Sequence, residues 1–191
     1  TTRKESLDLM GQTYFLLTPV KGLTIRAQQA IDAYDYKGAS INYPSYEPYS
    51  YRGRNSQAFQ RYYQLSSTNT AEYKTDINQK HFFAVLAGHE SFIRHQSDFN
   101  ATGTGLTDDR IVNFGSTTDI SSWAGGDSEC AFNSFFGNAN YNYADRYFVD
   151  ASIRTDGSSL FGKNHRYATF YSFGGMWKAK SEPFLQHVNW L

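Results

Sequence analysis

The chain has 191 residues, 40% of them hydrophobic and 17% aromatic, with 15 Tyr and 15 Phe supplying most of the aromatic share. Its 18 basic and 18 acidic side chains cancel, so it lacks the positive field that nucleic-acid binding requires. No apolar run approaches the ~20 residues of a membrane helix, which leaves strands as the only means of crossing a bilayer.

Cys130 is the single cysteine, so no intrachain disulfide forms and the redox compartment stays open. The opening TTRKESLDLM has no apolar signal-peptide core, and an exported protein would carry this stretch as an internal piece.

Residues 9–18 (LMGQTYFLLT) read as a strand whose faces are unassigned, followed by a turn at Pro19-Val20-Lys21-Gly22. Over residues 23–35, Leu23, Ile25, Ala27, Ile31 and Ala33 alternate with Thr24, Arg26, Gln28, Asp32 and Tyr34, which is the period of a strand. A helix over RAQQAIDAY competes there, because Ala and Gln are good helix formers. Residues 36–59 lack periodicity and are rich in Tyr, Ser, Asn, Gly and Pro, which predicts a long loop. A strand over 60–75, a tight turn over 76–79 and an apolar strand over 81–92, partly buried on both faces, come next. Residues 94–128, full of Gly, Asp, Ser and Thr, predict a second long loop.

Three clear strands close the chain. Phe135, Gly137, Ala139, Tyr141 and Tyr143 alternate with Ser134, Phe136, Asn138, Asn140 and Asn142. After Ala144-Asp145-Arg146, the apolar series Tyr147, Val149, Ala151, Ile153 faces away from Phe148, Asp150, Ser152, Arg154. From 167 to 179, Tyr167, Thr169, Tyr171, Phe173, Gly175 and Trp177 share a face opposite a more mixed one. The expected fold is an all-β, antiparallel up-and-down meander of about seven strands. Its short turns near 19–22, 76–79, 144–146 and 181–183 alternate with longer connections at 36–59, 94–128 and 155–166, as in outer-membrane barrels.

No catalytic group emerges. In GHESFIRH, His89 and His95 stand six apart rather than at the His-Glu-x-x-His spacing of a zinc helix. Residues 126–130 lack the second glycine of a nucleophile elbow. Asp108-Asp109 reads as a solvated loop edge, and the GTG at 103–105 opens no helix that would hold a phosphate. The sequence therefore predicts no catalytic residue, metal site or cofactor.

The run DRYFVDASIRTDGSSLFGKNHRYATFYSFGGMWKAKSEPFL resembles the barrel region of SusC/RagA-type TonB-dependent outer-membrane receptors of Bacteroidetes. The resemblance rests on Asp145-Arg146-Tyr147, Ala151-Ser152-Ile153-Arg154, Asp156-Gly157-Ser158-Ser159, Phe161-Gly162, Arg166-Tyr167, Trp177 and Ser181-Glu182-Pro183-Phe184. Tyr171 departs from a common proline. The match is good over roughly residues 60–191 and weak over 1–35. It implies that residues 1–191 are wall of a large barrel, 22-stranded in that family, without the plug domain and signal peptide. It also implies an outer-membrane receptor of a Gram-negative cell importing glycans or peptides with energy from TonB. The implied partners are a SusD-like surface lipoprotein, the bilayer and lipopolysaccharide.

Tyr43, Tyr46, Tyr49 and Tyr51 are the candidate ligand contacts, since aromatic faces with polar tips stack on sugar rings. Packing of the loop on itself, or an aromatic girdle, is the plainer role for these tyrosines. Arg52 and Arg54 are candidates for lipopolysaccharide phosphates, with simple solubilisation the plainer role for two exposed arginines. Asp150, Ser152 and Arg154 are expected to face the lumen, the two charged ones chiefly in charge-compensating pairs. In DGSSLFGKNHRY, Asp156-Gly157 is expected to turn the chain and Phe161 to anchor the loop, a barrel-folding role. A freestanding soluble β-sandwich, serving as a carbohydrate-binding module, is the competing architecture.

Overall fold

The structure, a computed structural model, describes residues 1–46, 52–162 and 166–185. Seven strands follow one another: β1 (Thr2–Val20), β2 (Leu23–Asn42), β3 (Gly53–Ile77), β4 (His81–Leu106), β5 (Asp119–Tyr143), β6 (Tyr147–Ser158) and β7 (Tyr167–Trp177). They form one sheet in sequence order, the arrangement of a meander. β5 pairs antiparallel with β6 from Phe132↔Ser158 to Tyr143↔Tyr147, and β6 with β7 from Tyr147↔Trp177 to Gly157↔Tyr167. The expected all-β meander is what forms, and the helix competing over RAQQAIDAY yields to β2.

The expected short turns are present, tightened by specific backbone geometry. Asn78 and Gln79 both take positive φ (56° and 53°), as do Ala144 and Asp145 (49° and 54°). Each pair makes the two-residue turn whose twist matches a hairpin's strands. The turns close with Lys80 N–H to Ile77 O (3.2 Å) and Arg146 N–H to Tyr143 O (3.0 Å). Gly22, at φ 88°, lies so near β3 that a Cβ there would sit 2.2 Å from the Lys74 carbonyl oxygen.

The long connections are shorter than expected. β2 runs on to Asn42 and β3 begins at Gly53, so the loop of 36–59 shrinks to 43–52. β4 continues to Leu106 and β5 begins at Asp119, so that of 94–128 shrinks to 107–118. Asp156 and Gly157 belong to β6 rather than to a turn, and Phe161 is half exposed rather than an anchor. Strands polar on both faces carry no apolar alternation, so periodicity underestimates them. β3, β4 and β5, at 25, 26 and 25 residues, are more than twice the ~9–11 residues that cross a bilayer.

Two compact units are distinguished along these strands, Thr1–Gly11 with Ile31–Leu65 and Ile93–Cys130, and Gln12–Ala30 with Ser66–Phe92 and Ala131–Leu191. In the first, the turn at Pro44–Tyr46 and the connection 107–118 are tied down. Asp109 accepts the Ser45 N–H (3.1 Å) and the Ser45 hydroxyl. Asn55, buried, donates from Nδ2 to the Val112 carbonyl at 2.6 Å. Gly53 packs against Pro44 and the buried Leu106, where a Cβ would fall within 2.8 Å of both.

The second unit carries the short turns and the register described above. Over 81–92, β4 is part-buried on both faces as expected, at His81, His89 and Ser91 on one and at Ala84, Leu86 and Glu90 on the other, while Phe82, Phe83 and Val85 stay exposed.

Among the described residues, buried apolar side chains are limited to Ala84, Ala101 and Leu106, whereas Leu9, Phe15, Leu17, Val85, Ile153 and Phe173 are exposed. A sandwich hides one face of each sheet against the other. The seven strands form one sheet, so the second sheet that a sandwich needs is absent among the described residues.

Candidate functional site

The register of β5, β6 and β7 sorts side chains onto two faces. One face carries Phe135, Ala139, Tyr141 and Tyr143 with Val149, Ala151 and Ile153, continued by Tyr171, Phe173 and Trp177. Tyr171 is 87% exposed and Phe173 77%, with no protein layer over either. At the turn end of this face, His81 Nδ1 lies 2.9 Å from the Tyr141 hydroxyl, and the ring centroids of Phe83 and Tyr141 are 4.7 Å apart. Apolar residues ended by such aromatics match the lipid face and girdle of an outer-membrane barrel.

The opposite face carries Ser134, Phe136, Asn138 and Asn140 against Asp156, Arg154, Ser152 and Asp150. Asp150, Ser152 and Arg154 thus share one face, as expected from their spacing. Ser152 Oγ is 2.8 Å from Ser172 Oγ on β7. Gly174, opposite Asp150, leaves room for that carboxylate, since a Cβ there would sit 2.6 Å from Asp150 Oδ1.

Arg154 is the centre of a network. Its Nε donates to Asp156 Oδ1 (2.6 Å), and its Nη2 to Glu90 Oε2 and Ser134 Oγ (both 3.1 Å). Ser134, fully buried, donates its hydroxyl to Asp156. The guanidinium also stands 5.5 Å from the Phe136 ring centroid, a cation–π distance. Phe136 in turn lies over Gly88, where a Cβ would fall 2.2 Å from the ring. The expected charge compensation of Arg154 is therefore met by Glu90 and Asp156. Sequence reasoning passed over Glu90, which sits in the stretch that mimics a zinc motif; the signal was its parity on β4. His89 and His95 each have separate neighbours: His89 Nε2 meets Asn133 Oδ1 at 2.6 Å, and His95 stacks on Tyr63 at 5.2 Å.

A second cluster ties together the motifs quoted for the family resemblance. The Glu182 side chain, 8% exposed, accepts the Tyr147 hydroxyl (2.7 Å) and Trp177 Nε1 (3.3 Å) on Oε1, and Arg146 Nη1 (3.3 Å) on Oε2. The Tyr147 hydrogen bond, ahead of those from Trp177 and the Arg146 charge, holds the Glu182 carboxyl below the usual carboxylate range against the opposing effect of burial. In the connection 107–118, the Arg110 guanidinium likewise lowers the Asp108 carboxyl.

Of the candidate loop tyrosines, Tyr43 is half-buried and its carbonyl accepts the Tyr46 N–H at 3.1 Å, while Tyr46 is 86% exposed. Tyr49 and Tyr51 lie outside the described residues. Arg52 pairs with Asp119 at 3.5 Å, and Arg54 is exposed.

No family model matches the chain. Among curated proteins it is 31% identical over 130 residues to TonB-dependent receptor P26 of Formosa agariphila, covering 64% of this chain and 13% of that protein. It is 31% identical over 146 residues to the TonB-dependent receptor SusC of Bacteroides thetaiotaomicron, covering 74% of this chain and 14% of that protein. Among solved structures, the RagAB peptide importer in its "closed-closed" state matches 99% of this chain and 21% of the solved one, at 32% identity and a TM-score of 0.89. In the "open-open" state the match covers 93% and 20%, at 33% identity and a TM-score of 0.86. The chain thus spans 13–14% of the length of these curated relatives and about a fifth of the solved ones. Sheet order, uncovered apolar face, motif clusters and fold match all agree: the chain belongs to the SusC/RagA-type TonB-dependent receptors of the outer membrane, a transporter rather than an enzyme family, and forms seven consecutive strands of their β-barrel.

Proposed function

We propose that these strands are wall of a receptor that imports glycan or peptide nutrients across the outer membrane, energised through TonB contacts outside them. The carrying observation is the pairing of an uncovered apolar face with an opposite face of amides, hydroxyls and charges, Arg154 among them paired with Glu90 and Asp156. A large barrel needs the first toward lipid and the second toward its aqueous interior. Asp150, Ser152 and Arg154 then line the lumen.

On this reading the connections 43–52 and 107–118 are extracellular, and the turns at 78–79 and 144–145 periplasmic. A SusD-like surface lipoprotein caps the extracellular ends, a reading supported by the RagAB importer, to which the fold is similar. Tyr43 and Tyr46, with Tyr49 and Tyr51, are offered as contacts to substrate or to that partner. Arg52 and Arg54 are offered to lipopolysaccharide phosphates.

Immunoblotting fractionated source cells with an antibody to residues 156–167, alongside nutrient uptake by a strain lacking the gene, tests this. An outer-membrane band of about 100 kDa, the length that a 22-stranded barrel with a plug implies, and loss of uptake of one glycan or peptide class are expected. A soluble band near 21.7 kDa, or unchanged uptake, would overturn it.

A further inference from the structure

Within the second compact unit, a hollow of about 190 Å³ lies at the far end of the apolar face, where β5, β6 and β7 pass through Asn133, Gly157 and Tyr167. The row of Tyr143, Tyr147 and Trp177 marks the turn end of the same face. From one row to the other the strand advances ten positions, 143 to 133, or about 33 Å at ~3.3 Å each. A strand tilt of about 40° turns this into roughly 25 Å along the membrane normal, the height of a barrel's apolar band. The hollow therefore sits at the membrane interface opposite the short turns.

The polar side chains that line it have donors to spare. Ser159 Oγ accepts the Ala131 N–H (2.9 Å) and Ser158 Oγ the Leu160 N–H (3.3 Å), so each hydroxyl keeps its own proton to give. Asn133 has its Oδ1 taken by His89 Nε2 at 2.6 Å, which leaves the amide Nδ2 as a donor. Arg166, a donor only, is exposed and pairs with no carboxylate among the described residues. Gly157 is buried under the Tyr167 ring, where a Cβ would collide with that ring. None of the lining residues is acidic. Asp156, next to Gly157, turns to the other face and receives Arg154 and Ser134 there.

We infer that this hollow holds a phosphate of one lipopolysaccharide molecule in the outer leaflet, with Arg166 as its chief ligand. The inference rests on the import reading, which puts the short turns in the periplasm and this end of the face at the cell exterior. Donors with no opposing acid select an anion, and the guanidinium fork fits phosphate oxygens two at a time. A neutral headgroup would leave Arg166 unanswered. Toward the turn end, the face continues through Thr155 and Thr169, their Oγ1 atoms 3.0 Å apart, to the exposed Ile153, Tyr171 and Phe173. These give an acyl chain an apolar track directly beneath the donors. The site thus has the polarity of the lipid itself, charge at the interface and hydrocarbon below. It is distinct from Arg52 and Arg54, which belong to the first unit.

The test uses the complete receptor in detergent, stripped of endogenous lipid, with bound lipid counted by native mass spectrometry. It is titrated with monophosphoryl lipid A, with the same lipid A dephosphorylated, and with phosphatidylglycerol. The parent retains one tight monophosphoryl lipid A, and Arg166→Ala weakens it about tenfold, the worth of one hydrogen bond between charged groups. Arg166→Lys, which keeps the charge but loses the fork, falls between the two. Dephosphorylated lipid A binds parent and Arg166→Ala alike, and unchanged heat-modifiable gel migration verifies the fold of each variant. Three results overturn the site: lipid A binding indifferent to Arg166→Ala, an equal loss with the dephosphorylated lipid, or phosphatidylglycerol held as tightly as lipid A. Fractionation and uptake separate this from the import reading. A receptor that imports from the outer membrane yet ignores Arg166→Ala keeps import and loses the site; a receptor found outside that membrane loses both.

Discussion

Tyr147 and Glu182, 35 residues apart in sequence, are joined by a 2.7 Å hydrogen bond from the phenol to a carboxylate that also receives Trp177 and Arg146. The bond fastens the segment after β7 to the first residue of β6, and so fixes where this hairpin stops. Its consequence is a pH dependence. The Glu182 carboxyl is lowered in the folded state, so its contribution is fully present above the ordinary carboxylate pKa of about 4.3. That contribution disappears as pH falls through the lower folded value. Hydrogen exchange at the β6–β7 end, followed from pH 6 down to 2, loses protection in the parent receptor. In Glu182→Gln protection starts lower and changes less with pH. Parallel curves for the two would remove Glu182 as the titrating group.

Arg154 supplies a second expectation. Its replacement by Ala leaves Glu90 and Asp156 facing each other without a cation, and removes the donor to buried Ser134. Charged hydrogen bonds are worth about 1.5–3 kcal/mol when well shielded, and the side chain is 39% exposed. A local loss of about 1–2 kcal/mol follows after solvent screening. It appears as faster amide exchange in β5 and β6. In a double-mutant cycle with Glu90→Gln, the double variant loses less than the sum of the two single losses.

The turn at Ala144 can be improved. An alanine at φ 49° carries part of the roughly 1–2 kcal/mol cost of left-handed backbone, which glycine avoids. Ala144→Gly therefore raises the opening free energy of the β5–β6 hairpin by up to about 1 kcal/mol, read by the same exchange. Gly22→Ala does the opposite, because its Cβ would meet the Lys74 carbonyl.

Asp109 holds the loop that contains Arg110, an exposed trypsin site. Asp109→Ala releases Ser45 and makes cleavage after Arg110 several-fold faster in intact cells, with the strands undisturbed. Equal cleavage rates in parent and variant would mean that the tie to Ser45 does not restrain the loop.

Much of the architecture was legible before any coordinates. Alternation from Ser134 to Trp177 named the two faces, and the turn at 144–146 was visible because a tight turn leaves a sharp break between periodic runs. The partners of Arg154 were not legible, since Glu90 lies 64 residues away on β4 and no local pattern states which strand positions come opposite. The Glu182 cluster was present only as scattered matching motifs. Their common cause, one carboxylate gathering three donors, is a fact of three dimensions.

By itself the sequence determined the strand-and-turn alphabet, the two-faced character of the sheet and the family resemblance, because side-chain alternation and turn chemistry are local. The tertiary structure alone decided that β4 runs to Leu106, that β5 begins at Asp119, and that a single sheet leaves its apolar face uncovered. Strand length here is set by hydrogen bonding to the neighbouring strand, which polar residues satisfy as well as apolar ones. It therefore leaves no trace in hydrophobic periodicity.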